Sequence, residues 1–174
     1  LNLADVVREA LRLLRATIPA GVELESRLDA DTPPVRADAS QMHQVLMNLC
    51  TNAWLALKTV DGRRPRIEVS LRAVPADAPS PAGLRNELPP GPLVCLEVSD
   101  NGAGMDAATA ARVFEPFFTT RAPGEGTGLG LSVVHGIVAA HNGAIALAST
   151  PGQGSCFRVF LPASAQPLIG DAPE

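Results

Sequence analysis

With 174 residues, 46% hydrophobic and 18% charged, the chain has the size and balance of one soluble globular domain able to bury a core. Its formal net charge of −4 argues against a nucleic-acid partner, which a basic patch would announce. No apolar run approaches the ~20 residues of a membrane span and no signal-peptide pattern opens the chain, so this piece is expected in an aqueous, cytoplasmic setting even if its parent is membrane-anchored.

The absence of an initiator Met reads as a fragment of something longer. Cys50, Cys95 and Cys156 are odd in number and widely spaced in apolar surroundings. That pattern predicts reduced core cysteines rather than a disulfide framework or a zinc site.

In chain order, apolar residues at helical spacing (Leu3, Val6, Val7, Ala10, Leu11, Leu14) predict a helix over 3–15, with Asn2 as its cap. Val22 to Leu28 alternates like a half-buried strand, and Val35 to Ala37 is at most a short one. A second helix, capped by Asp38 or Ser40, carries the stripe Val45, Leu49, Ala53 and Ala56. Asp61-Gly62 marks a turn, and Arg66 to Val74 alternates again with Ile67, Val69 and Leu71 inward. Ala76 to Pro92, rich in Pro, Ala and Gly, reads as a long, poorly ordered connection between antiparallel strands, without a functional role.

Leu93 to Val98 is the next strand and delivers Asp100. Most of 102–128 reads as loop, with a short helix near 107–113. A helix over Leu129 to His141 ends at Asn142-Gly143, and Ala144 to Ala148 pairs with Cys156 to Leu161 as a hairpin. The domain is expected to span 1–162, with 163–174 a linker or disordered tail. Runs of neighbouring strands predict a two-layer α/β sandwich, its mixed, mostly antiparallel sheet carrying helices on one face.

Three stretches can do chemistry. Gln44, Asn48 and Asn52 recur every four residues along one helix face, at the edge of the apolar stripe. Amide oxygens there suit a hard cation such as Mg²⁺, or serve local hydrogen bonds. The cluster Gly124 to Gly130 runs into a helix start, where backbone N–H groups and the helix dipole can hold a phosphate. A P-loop is excluded because Lys58 is the only lysine, and a dinucleotide fingerprint because Leu131 stands where its last Gly or Ala should be. Asp100 with Gly102 and Gly104 offers either an acceptor for an exocyclic amine beside close-approaching backbone, or a turn closing a strand. His43, His135 and His141 lack metal-site spacing and read as structural or surface residues.

Taken together in this order, the segments resemble the ATP-binding catalytic domain of bacterial sensor histidine kinases, of the superfamily shared with DNA gyrase B, Hsp90 and MutL. Gln44-Val45-Leu46-Met47-Asn48-Leu49-Cys50-Thr51-Asn52-Ala53 is similar to the N box, Asp100-Asn101-Gly102-Ala103-Gly104-Met105 to the G1 box, and Phe114-Glu115-Pro116-Phe117-Phe118 to the F box. Gly126-Thr127-Gly128-Leu129-Gly130-Leu131 is similar to the G2 box, and Gly152-Gln153-Gly154-Ser155-Cys156-Phe157 to the last glycine motif.

The resemblance implies the superfamily's Bergerat fold and ATP with Mg²⁺ as cofactors. Asn52 would coordinate the metal, and Asn48 would stand beside the phosphates where gyrase and Hsp90 carry a catalytic Glu. Asp100 would bind the adenine amine, with Gly102, Gly104 and Met105 around it and Ser155 reaching the base through a water. Thr119, Thr120 and Arg121 would help hold a lid or the phosphates, and Gly126, Thr127, Gly128, Leu129, Gly130 and Leu131 would cradle the phosphates.

The implied activity is transfer of the γ-phosphoryl group of ATP to a histidine on a separate dimerisation domain, with a response regulator receiver domain downstream. The isolated domain is expected to be monomeric. Two departures stand out. Trp54-Leu55 follows the N box where relatives carry charge, which places Trp54 toward a neighbouring domain. No histidine is followed by Glu or Asp, as the family's phosphoacceptor typically is. Alternatives are another superfamily ATPase or serine kinase, or a non-catalytic module that only binds nucleotide or a partner.

Overall fold

The computed structural model describes residues 1–118 and 130–164 of the chain. Helix α1 (Leu3–Thr17) begins where the Asn2 side chain accepts the N–H of Ala4, and its buried stripe is the one read from the spacing. Strand β1 (Glu23–Leu28) follows. Helix α2 (Ala39–Leu57) takes Asp38, not Ser40, as its cap. Ser40 instead donates its hydroxyl to Asp38 Oδ1 at 2.6 Å, beside the N–H of Gln41 at 3.0 Å. Those two bonds hold the Asp38 carboxyl below its usual range. The buried stripe of α2 is wider than the spacing suggested, with Met42, Leu46, Cys50 and Leu57 beside Val45, Leu49 and Ala53.

Strands β2 (Arg66–Val74) and β3 (Leu93–Asp100) precede the short helix α3 (Ala107–Arg112). Helix α4 (Gly130–Ala140) is closed by Asn142 in the left-handed region and by the N–H of Gly143 on Val138 O, 2.9 Å. The hairpin of β4 (Ala144–Thr150) and β5 (Gly154–Pro162) completes the described elements.

Among the described residues the strands form one sheet in the order β1-β2-β3-β5-β4. β1 runs parallel to β2 and every other pair is antiparallel, the mixed, mostly antiparallel sheet expected. The parallel pair is the one joined through α2, because parallel neighbours need a crossover connection. Ile67, Val69, Leu71, Val94, Leu96, Val98, Phe157 and Val159 face the helices in one continuous core. This is the two-layer arrangement predicted by the alternation of the strands.

The opposite sheet face differs from expectation. Leu93, Cys95, Ala144, Ala146 and Phe160 form a second, smaller apolar cluster, against which Val74, Leu84 and Leu88 pack. The 76–92 connection, expected without structure of its own, therefore covers this face and the free edge of β4. Arg85 N donates to Ile145 O at 2.9 Å and Leu147 N to Gly83 O at 3.1 Å, around an antiparallel bridge of Leu84 with Ala146. Asn86 completes the seam by donating to Gly143 O (2.9 Å) and accepting from Ile145 N (3.0 Å). An edge strand's unpaired groups are the natural receptor for such a segment. Sequence periodicity cannot report it, because the pairing lies in β4 and not in the loop.

Cys50 and Cys95 are buried free thiols, while Cys156 is half-buried and donates to Glu97 Oε1 at 3.0 Å. Burial pushes all of them up, Cys95 to about 11 and Cys50 and Cys156 to about 12. Val35 makes a single bridge, to Ala163, and Ser164 N bonds Pro34 O at 2.7 Å. Residues 165–174 of the expected tail lie outside the described residues. No helix among the described residues is long and apolar enough to cross a membrane.

Candidate functional site

The site is built at the C-terminal end of β3. Antiparallel pairing on both sides sets Asp100 opposite Ile67 of β2 and Ser155 of β5. Asp100 Oδ1 accepts the N–H of Gly102 at 2.8 Å, which is the turn geometry left open by the sequence. Burial raises the carboxyl above its ordinary value, although the N–H groups of Gly102 and Ser155 pull the other way. A carboxylate has about four lone-pair positions, so closing this turn leaves acceptor capacity for an amine donor. The turn and the binding reading are therefore compatible.

The two glycines of the loop are demanded by the protein's own packing. A Cβ on Gly102 would stand 2.6 Å from Ala56 O. Gly104 has φ +67°, and a Cβ there would run into Thr150 O. Among the described residues these glycines lie against backbone of α2 and of the end of β4, an internal packing reason for glycine beside the approach to a ligand expected from the sequence.

Several side chains not singled out from the sequence hold this loop. Asn101 accepts from Arg66 N (2.8 Å) and donates to Arg64 O (2.9 Å), stapling the loop to the start of β2. Met105 N donates to Ser149 Oγ at 2.8 Å, and Ser149 Oγ lies 2.8 Å from Ser155 Oγ. Ser155 is buried, and its hydroxyl is partnered by Ser149 while keeping further hydrogen-bonding capacity. Arg63 bridges Gly102 O (3.3 Å) and Gly152 O (2.5 Å). No signal in the sequence joins Arg63, Ser149 and Met105, which are brought together by the β4–β5 turn.

Helix α2 contributes the amides. Ala103 N donates to Ala56 O at 3.1 Å, fixing the loop against the last turn of α2. On the same helix Asn48 Nδ2 donates to Gly130 O at 3.3 Å, reaching the start of α4. Asn52, one turn on, is half-buried between these two attachments, whereas Gln44 is exposed. Leu131 is buried at the start of α4, and among the described residues nothing lies within 4 Å of where a Cβ on Gly130 would stand. Thus Asn48, Asn52, Asp100 to Met105, Ser155, Gly130 and Leu131 are brought around one region. Thr119, Thr120, Arg121, Gly126, Thr127, Gly128 and Leu129 lie outside the described residues.

Phe114 stands between α4 and the sheet, with ring centroids 5.6 Å from His135 and 6.1 Å from Phe157. The Arg85 guanidinium from the 76–92 loop lies over the Phe114 ring, 5.7 Å from its centroid. His141 accepts the N–H of Asp38 through Nε2 at 3.3 Å while its Nδ1 faces Ile137 O at 2.8 Å, a pairing that fits the Nδ1-protonated tautomer. These two histidines thus have structural contacts. Trp54 is half-buried, with Lys58 Nζ 5.3 Å above its ring. Among the described residues no group of three or more His, Cys, Asp or Glu is arranged to hold a metal. A cation here would rest on an amide oxygen and on ligand phosphates, a donor set that suits Mg²⁺.

Comparison with known proteins agrees with this geometry. Residues 37–165 match the family described as "Histidine kinase-, DNA gyrase B-, and HSP90-like ATPase". The chain is 38% identical over 162 residues to the sensor kinase CckA of Brucella abortus (strain 2308), covering 93% of this chain and 17% of that protein. It is 34% identical over 166 residues to the signal transduction histidine-protein kinase AtoS of Escherichia coli (strain K12), covering 95% of this chain and 24% of that protein. The chain thus spans about a fifth of the length of these curated relatives. The solved catalytic domain of histidine kinase ThkA superposes with a TM-score of 0.72 at 26% identity, covering 94% of this chain and 93% of that one. On the family match and the shared fold, the chain belongs to the histidine kinase-, DNA gyrase B- and HSP90-like ATPase family.

Proposed function

We propose that this chain is the ATP- and Mg²⁺-binding catalytic domain of a sensor histidine kinase. It transfers the γ-phosphoryl group of ATP to a histidine on a separate dimerisation domain, from which a response regulator receiver domain takes it. The observation that carries this reading is the double attachment of α2. Ala103 N on Ala56 O and Asn48 Nδ2 on Gly130 O bring the end of β3 and the start of α4 to the same helix, with Asn52 between them.

In this reading Asp100 accepts the adenine amine, with Gly102, Gly104 and Met105 forming the adjoining loop and Ser155 reaching the base through a water. Asn52 offers its amide oxygen to Mg²⁺, which when bound neutralises phosphate charge. Asn48 stands beside the phosphates, and an amide cannot take a proton from water as a carboxylate would. That favours transfer to an acceptor over hydrolysis. Gly130 and Leu131 at the start of α4 are assigned to the phosphates, as are Gly126, Thr127, Gly128 and Leu129, with Thr119, Thr120 and Arg121 assigned to the lid or the phosphates. The chemistry asked of the protein is positioning and charge stabilisation, and the acceptor imidazole supplies the nucleophile. The working compartment is the cytoplasm.

Titrating ATP calorimetrically with and without Mg²⁺ tests the binding, which is expected to be metal-dependent. Incubation with γ-labelled ATP should label the isolated chain little, and should label an added dimerisation domain that carries the phosphoacceptor. Metal-independent binding, or efficient labelling of the isolated chain, overturns the reading.

A further inference from the structure

We infer that Arg63 is a positioning residue for the base end of the nucleotide site, acting through the two carbonyls it joins and not through its charge. This rests on the nucleotide-binding reading above. Arg63 follows the turn after α2, outside every motif recognised in the sequence. Its Nη2 donates to Gly102 O at 3.3 Å and to Gly152 O at 2.5 Å. The first carbonyl belongs to the loop that carries the Asp100 turn, because Gly102 N is the donor to Asp100 Oδ1. The second belongs to the β4–β5 turn, whose following residues lead through Gly154 to Ser155 opposite Asp100.

One guanidinium therefore ties together the two backbone segments that flank the Asp100 carboxylate. The two N–H bonds of Nη2 are fixed in the guanidinium plane, so this one nitrogen holds two acceptors in set directions, which a freely rotating ammonium does less well. Other bonds tie the loop to its surroundings, among them Ala103 N on Ala56 O at 3.1 Å and Asn101 on Arg64 and Arg66. Gly152 N reaches Ala103 O at 2.7 Å, and Met105 N reaches Ser149 Oγ at 2.8 Å. Neither engages the carbonyl of Gly102. The peptide plane that carries this carbonyl is held on its N–H side by Ala103 N on Ala56 O at 3.1 Å, and Arg63 holds its carbonyl side. The N–H that orients Asp100 lies on Gly102 as well.

The test separates this role from simple attraction of a cation for phosphates. Arg63→Ala should raise the Kd for adenosine, ADP and ATP by a common factor, on the order of three- to tenfold. The factor should not change with salt, and Arg63→Lys should recover part of the loss. Arg27→Ala, which removes one positive charge at the β1 edge, should leave all three affinities unchanged. A loss that grows from adenosine to ATP and fades with salt overturns the inference in favour of charge attraction. Unchanged affinity in a folded Arg63→Ala chain overturns it outright. A wild-type chain that binds none of the three overturns the nucleotide reading itself, and this inference with it.

Discussion

Asp100 Oδ1 accepts the N–H of Gly102 at 2.8 Å, and burial holds the carboxyl above its ordinary value. Burial thus works against the charged form of Asp100 while the N–H groups of Gly102 and Ser155 favour it, and a carboxyl perturbed by its surroundings in this way is a candidate for a binding role. Asp100→Asn keeps Oδ1 for the turn and removes the buried charge. It should weaken ATP binding by about 1–3 kcal/mol, the range for losing one charged partner. Thermal stability at pH 7 should stay level or rise. Calorimetric titration and a melting curve on the same sample check both halves, and a variant that binds normally would return Asp100 to a purely structural role.

The same raised carboxyl sets a pH dependence. Between the unfolded and folded values the folded state holds the extra proton, so folding stability falls as pH rises through that window. The contribution is complete below the unfolded value and lost above the folded one. Protonation also removes the charged acceptor, so adenosine affinity should fall as pH drops, beginning above the range of an ordinary aspartate. Asp100→Asn should flatten that profile. Adenosine is the ligand of choice because it has no phosphate to titrate.

Gly104 combines φ +67° with a Cβ position that collides with Thr150 O. Gly104→Ala should destabilise the fold by about 2 kcal/mol or more, through backbone strain and displacement of the β4–β5 turn. A fall in melting temperature of roughly 4 °C or more is expected for a domain of this size. A melting temperature within a degree of wild type would show that the turn yields easily.

Asn52→Ala should leave ATP binding with little response to Mg²⁺. Phosphoryl transfer to an added acceptor domain should fall on the order of 100-fold, comparable with losing one oriented transition-state partner. Retention of the metal response would move the cation to another ligand.

Asn86→Asp should cost about 1–3 kcal/mol in urea unfolding. It keeps the acceptor for Ile145 N and loses the donor to Gly143 O, leaving a carboxylate against a carbonyl. If stability is unchanged, the Asn86 side chain adds nothing to the seam beyond its backbone bonds.

The sequence by itself determined the elements and the motifs. Helix α1, the start of α2 at Asp38 or Ser40, the alternating strands β2 and β3 and the Asn142-Gly143 stop all follow from interactions within a few residues. The strand-end carboxylate at Asp100, the amides four apart at Asn48 and Asn52 and the glycines leading into α4 were legible for the same reason. Their meaning as one site came from their joint order and not from any one of them. Tertiary structure alone decided how that site is held. The covering of β4 by Gly83 to Asn86, the Ser149–Ser155 contact and the Arg63 bridge join residues far apart in the chain. Each depends on which backbone groups the sheet leaves unpaired and on where its turns bring them. The loop glycines show the same division: the letters called for backbone close to a ligand at Gly102 and Gly104, and only the fold shows that Ala56 and Thr150 also demand glycine there.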